Sequence, residues 1–219
     1  MSTSRIRKYI KNQPHKPSSR KKNITPIIVS YSKTYTLRNN CHNSEFPFEL
    51  WSIPGGRTRE LVNQIEDRVN KAVRRHGKII IYLWTGTCDI TEKINKFKHI
   101  RNDSYKTVDD ILYEYKRAVK IVDRYKPQVT IKFIDCPILS IQKWNKYKGH
   151  KKPEKYKDED LSVTQQITYL NKKIWELNRQ LGTSSVKISQ FYFRTRKEPH
   201  RPARRSVQIA LNNKDKKIN

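Results

Sequence analysis

Long apolar runs are missing from this sequence. No stretch of the 219 residues approaches the roughly 18–20 apolar residues that a membrane-spanning helix needs. The first segment, MSTSRIRKYIKNQPHKPSSRKKN, has no apolar h-region, so no secretory signal is expected. Cysteine is scarce: Cys41, Cys88 and Cys136 are scattered and none belongs to a CxxC pair. That excludes a disulfide framework and argues against a structural zinc site. The expected address is a reducing intracellular compartment, and no metal or cofactor is expected. Acid is scarce too, with 20 Asp and Glu against 48 Lys and Arg, a formal net charge of +28. Such an excess predicts attraction to polyanions: RNA, DNA or an anionic lipid surface. No zinc knuckle, RNP-type motif or helix-turn-helix pattern is visible, so nucleic-acid binding would be mainly electrostatic.

What is present separates along the chain. Residues 1–23 hold eight Lys and Arg and no acid, broken by Pro14 and Pro17. They read as a disordered basic arm, either a solubilising tail, a polyanion-binding segment or a nuclear import signal. From residue 24 the apolar residues concentrate. Pro26–Ser30 and Phe46–Ile53 read as strands. Leu61, Val62, Ile65, Val69, Ala72 and Val73 recur at helical spacing, and Arg74-Arg75-His76-Gly77 reads as the helix C-terminus. Lys78–Trp84 (KIIIYLW) reads as a central parallel strand buried on both faces. A loop to residue 106 follows, then a helix with Thr107 as N-cap. Val129–Ile134 reads as a strand, 142–160 as a polar stretch, and Val163 to Leu181 as a third long helix stopped by Gly182. Val186–Phe191 reads as a fifth strand.

Strands alternating with helices predict an α/β fold: three layers, with a mostly parallel five-stranded sheet. The expected domain is 24–193, between the arm 1–23 and a basic C-terminal segment 194–219 that reads as truncated. In such folds ligands bind beyond the carboxyl ends of the strands. Those ends carry Ser30-Tyr31-Ser32, then Pro54-Gly55-Gly56, then Gly86-Thr87-Cys88-Asp89.

This ordered set resembles the SGNH (GDSL-type) hydrolase superfamily over about 24–215. IIIYLWTGTCDIT, with FIDCP, SIQKWNKYKGH and SVKIS, is also similar to SGNH-like domains of invertebrate mobile elements or viruses. The resemblance implies a flavodoxin-like strand order and a serine esterase site. Ser32 would be the nucleophile, while Gly55 and the residue at position 88 would donate to the oxyanion. Gly86 and Asp89 would form the third-block turn, and a late Asp-x-x-His would complete the triad. The late block falls on Asp215-Lys216-Lys217-Ile218, so the histidine position is Ile218. The oxyanion Asn is Cys88, and a thiol is a weak donor. His200 is the nearest substitute base. A serine without a positioned base is a poor nucleophile, so impaired catalysis is expected.

Each residue also has a structural use. Ser32 and Asp89 suit backbone caps, Pro54-Gly55-Gly56 suits a tight turn, and Cys88 suits an inert small residue. Trp144-Asn145-Lys146-Tyr147-Lys148 mixes aromatics with lysines, as a loop that stacks bases and tracks phosphates would, or as a surface loop whose Trp144 packs on the domain. Further polyanion contacts are expected from Arg5, Arg7, Lys8, Arg20, Lys21 and Lys22, and from Arg194, Arg196, Arg204 and Arg205. The favoured expectation is an SGNH-like, catalytically impaired nucleic-acid-binding protein of a mobile element or virus. The alternatives are an active esterase using Ser32, an assembly protein that packages nucleic acid, and a relic without function.

Overall fold

The computed structural model describes residues 24–32 and 48–192. The chain divides into two compact units, 18–187 and a second formed by 1–17 with 188–219. In the larger unit the order is β1 (Thr25–Ser30), β2 (Glu49–Ser52), α1 (Thr58–His76), β3 (Ile79–Trp84), α2 (Thr87–Ile90), β4 (Thr91–Ile94), β5 (Phe97–Ile100), α3 (Lys106–Asp123), β6 (Val129–Phe133), α4 (Ile141–Tyr147), a 3-10 turn (Pro153–Tyr156) and α5 (Lys157–Gln180). The described part of the second unit holds the short helix α6 (Ser189–Tyr192).

The sheet runs β2-β1-β3-β6, every pair parallel. Its register stacks Ile27 on Ile81 on Ile131, and Val29 on Leu83 on Phe133. That row is buried with the apolar stripes of α1, α3 and α5, including Leu61, Ile65, Ile111, Ile167 and Leu170. The alternate residues Ile28, Ile80 and Tyr82 are only half-buried, so β3 is not buried on both faces as its composition suggests. Gly77 closes α1 as expected, at φ 74°, with its N–H on the Val73 carbonyl.

Four strands form where five were expected. Residue 186 makes a single parallel bridge to Ile134, and the chain enters α6 three residues later. The outer edge of β6 is already occupied. The Asn178 amide accepts from Phe133 N (2.9 Å) and donates to Phe133 O (2.8 Å), and Asn171 does the same for Cys136 (2.7 and 2.8 Å). Backbone groups that a fifth strand would pair are thus satisfied from α5.

Three more expectations are corrected. The loop after β3 contains α2 and an antiparallel hairpin, β4–β5, turning at Asn95 with φ 54°. Helix α3 begins at Lys106 with Tyr105 as N-cap, so Thr107 lies inside it. Tyr105 is fixed there by edge-on packing on Tyr169, centroids 5.2 Å apart. The polar stretch 142–160 forms α4, the 3-10 turn and the start of α5. Ser140 Oγ caps α4 by accepting from Lys143 N (3.0 Å), and donates to Asp160 (2.6 Å). Among the described residues, no helix is long and apolar enough to cross a membrane.

Candidate functional site

The parallel strands deliver three turns to one end of the sheet. Ser30 ends β1 buried, its hydroxyl donating to Trp84 O at 2.7 Å, so this serine serves as a strut between strands. Tyr31 is buried and Ser32 exposed. After β2, Gly55 takes φ 70°, a left-handed turn that favours glycine. After β3, Gly86 takes φ 111° and opens α2, which carries Cys88 and Asp89, both half-buried.

Asp89 acts as a cap. Its carboxylate accepts from Thr58 N (3.1 and 3.2 Å) and Thr58 Oγ1 (2.8 Å), satisfying donors at the N-terminus of α1. Thr58 Oγ1 meets Thr85 Oγ1 at 2.6 Å, and Thr85 Oγ1 meets the Tyr115 hydroxyl at 3.2 Å. The Cys136 thiol donates to Thr85 O at 2.7 Å. The strand ends are thus tied to α1 and α3 by a buried polar chain. Burial holds the Tyr115 phenol well above its usual range.

Burial also raises the Asp89 carboxyl, against the lowering effect of the Thr58 donors. The folded state therefore binds this proton more tightly than the unfolded chain does. Relative to Asp89→Asn, the wild type is expected to be most stable below the ordinary carboxyl value of 3.8. That advantage should shrink as pH rises through the raised value and then level off, as urea titrations at several pH values would measure. Asp89→Ala should cost about 1–3 kcal/mol at neutral pH, because Thr58 loses its acceptors.

The catalytic set is not assembled among the described residues. A cleft of about 630 Å³ opens beside Asp89, walled by Arg57, Arg59, Arg101 and Arg117 with Asp110 and Glu114, and its lining includes none of Ser32, Gly55 and Cys88. His76 lies at the other end of α1, with Nε2 2.6 Å from Glu49 Oε1. Burial alone would raise the Glu49 carboxyl, but hydrogen bonds from His76, Trp51 and Arg75 outweigh it and lower it. His150 packs edge-on against Phe97 and Tyr156, and His99 against Tyr156. Asp215, Ile218 and His200 lie outside the described residues, as do Arg5, Arg7, Lys8, Arg20, Lys21, Lys22, Arg194, Arg196, Arg204 and Arg205. No group of three or more His, Cys, Asp or Glu among the described residues is arranged to hold a metal ion.

The basic aromatic segment is a helix, α4, braced by the hairpin. Asn145 accepts from Lys98 N (2.7 Å) and donates to Lys98 O (2.8 Å), fastening α4 along the edge of β5. Trp144 is half-buried, with Lys98 Nζ 5.0 Å and Lys148 Nζ 5.3 Å from its ring centroid. Lysines lie over its ring, and the exposed ring is Tyr147, 79% exposed, with Lys148 Nζ 5.1 Å from its centroid. Lys146 is exposed and Lys148 half-buried beside it. Sequence reading missed the hairpin's share: Lys93, Lys96 and Lys98. Segment 91–100 has three lysines and one acid, and 141–157 has seven lysines and one acid.

Lys93 and Lys98 stand directly opposite each other across β4 and β5. Like charges so placed destabilise a sheet. Burial lowers the Lys98 ammonium; Cys88 opposes it, and the Lys93 charge adds a smaller lowering. Lys93→Glu should therefore stabilise the fold by about 0.2–1 kcal/mol, seen as a higher urea midpoint.

No protein-family model matches the chain, and no curated protein matches it. Solved structures do. A Streptococcus pneumoniae protein provisionally described as a platelet activating factor aligns at 16% identity and TM-score 0.47, over 82% of this chain and 72% of that one. An acetyl xylan esterase, AlAXEase, aligns at 10% identity and TM-score 0.44, over 76% and 78%. A Clostridium thermocellum family 3 carbohydrate esterase aligns at 15% identity and TM-score 0.38, over 78% and 81%. These are likenesses of fold; in this chain a parallel β2-β1-β3-β6 sheet is flanked by helices and delivers its turns to one end.

Proposed function

We propose that this chain is an SGNH-like scaffold that binds nucleic acid, single strands above all, and has no working Ser-His-Asp triad. The observation that carries the reading is the lysine surface of α4 and the β4–β5 hairpin. Lys93 and Lys98 face each other without an intervening acid, and Tyr147 stands exposed among Lys146 and Lys148. Phosphates would relieve that repulsion while a base stacks on the tyrosine. The net charge of +28 supplies the long-range attraction. The basic arm and the basic C-terminal segment add further contacts, and the mobile-element or viral setting rests on the resemblance around residues 79–91.

Filter binding of single-stranded oligonucleotides against salt tests the reading. With about six phosphate contacts, affinity should fall about 300-fold between 50 and 200 mM salt. A fall of no more than about twofold would be incompatible with it. The second reading, a serine esterase, is favoured by one observation: Ser32 is exposed just past the end of β1. Release of p-nitrophenol from a short-chain ester that vanishes in Ser32→Ala would establish that activity. The impaired-site reading expects no Ser32-dependent release.

A further inference from the structure

A second aromatic groove lies away from α4, on α5. Lys172, Trp175 and Arg179 are exposed, at spacings of three and four residues, and form one stripe along the helix. The helix's buried set is different: Val163, Gln166, Ile167, Leu170, Asn171, Ile174 and Asn178. Trp175 is 37% exposed and does not belong to the buried core. The segment after α5 returns beside this stripe, and Thr183, Ser185 and Lys187 form the facing wall of a groove of about 470 Å³.

The cations in the groove outnumber its acids. Its one carboxylate, Glu176, pairs with Lys173 at 3.1 Å, and its charge also acts on Lys172 and Arg179 from further off. Lys187 Nζ rests 4.9 Å from the Trp175 ring centroid. Ser185 Oγ accepts from Asn178 Nδ2 at 3.3 Å, which leaves its own proton for an incoming oxygen. One ring with cations on both walls and a hydroxyl donor beside it matches a nucleotide in a single strand. The base would stack on the indole, and the flanking phosphates would meet Lys172, Arg179 and Lys187. Lys187 is a flexible chain that can exchange the ring for a phosphate.

We propose that the Trp175 groove is a second contact for single-stranded nucleic acid, separate from the α4–hairpin surface. This rests on the nucleic-acid reading above, and it adds a base-stacking site on another helix.

The test uses the full chain and a short oligothymidylate bearing 5-iodouracil. Irradiation should cross-link the peptide that contains Trp175. Trp175→Ala should weaken binding about 5- to 100-fold, and Trp175→Phe, which keeps a stacking ring, should recover most of it. Replacing Lys172, Arg179 and Lys187 by Gln should flatten the log–log salt slope by about two. Circular dichroism should leave all three variants folded, since every altered side chain is exposed. Three results would overturn the site. One is oligothymidylate binding by Trp175→Ala within twofold of the parent. Another is an equal loss in the Ala and Phe variants. The third is a Trp175 dependence confined to a sulfated oligosaccharide, which would make the groove a carbohydrate site. If the parent binds oligothymidylate while Trp175→Ala is neutral, only this site fails. If the parent does not bind at all, the nucleic-acid reading fails with it.

Discussion

Gly86→Ala is expected to remove a large part of the domain's stability. Gly86 stands where β3 gives way to α2, at φ 111°, a conformation that costs a side-chain-bearing residue about 1–3 kcal/mol. A Cβ there would lie 2.7 Å from Leu170 Cδ2 and 3.0 Å from Cys136 Sγ. Both neighbours would have to shift. Both are fully buried, the Cys136 thiol is held by Thr85 O, and its backbone is held by Asn171. Overpacking of this kind adds about 1–3 kcal/mol. The total, about 2–6 kcal/mol, is a large fraction of the roughly 5–15 kcal/mol that stabilises a typical domain. Gly149→Ala provides the internal control. Its φ is 78° but nothing lies within 4 Å of the added Cβ, so only the backbone strain applies. Urea unfolding of both variants should separate the two costs. A Gly86→Ala loss no larger than that of Gly149→Ala would mean that α5 does not press on this turn.

The same glycine shows what the sequence made legible. The strands β1, β3 and β6 and the helices α1, α3 and α5 announce themselves because apolar residues recur along each at one period, although α5 also buries Gln166, Asn171 and Asn178. The elements that escaped reading are short, four to seven residues each, too short for a period to register. Helix α4 buries Ile141 and Asn145, a spacing of four with an amide in the second place. No hydrophobic count registers that pair, yet the Asn145 amide fastens the helix to β5. The hairpin strands have four residues each and carry lysines, too short and too charged for an alternation signal. The opposite error occurred at 186–191. An alternating segment read as a strand, but the Asn171 and Asn178 amides had already satisfied the edge it needed. Asparagine side chains on α5 thus explain the strand that did not form, and shortness explains the elements that were missed.

The site divides in the same way. Gly86 and Asp89 fall where the strand-end rule puts them, and the reading of Asp89 as a cap holds, on a helix 31 residues away in sequence. Trp144 is half-buried with Lys98 and Lys148 over its ring, and Tyr147 beside it is exposed. The pairing of Lys93 with Lys98 was not legible, because only the hairpin register sets them face to face.

Placement rather than total charge should decide binding. Replacing Lys93, Lys96, Lys146 and Lys148 together by Gln is expected to weaken single-strand binding about 200-fold at 0.15 M salt. The estimate takes each contact to contribute about 0.7 to the log–log salt slope, hence about fourfold in affinity at that salt. The slope itself should fall by about 2.8. A control that replaces Lys71, Lys78, Lys116 and Lys120, all exposed residues on or beside α1 and α3, removes the same charge. It alters only the long-range field, which salt screens over about 8–10 Å, so a loss of no more than about fivefold is expected. Equal losses in the two variants would mean that the chain binds as a diffuse polycation. In that case neither the hairpin nor α4 would constitute a site. A 200-fold loss confined to the first set would tie the function to a hairpin and a helix that the sequence pattern did not disclose.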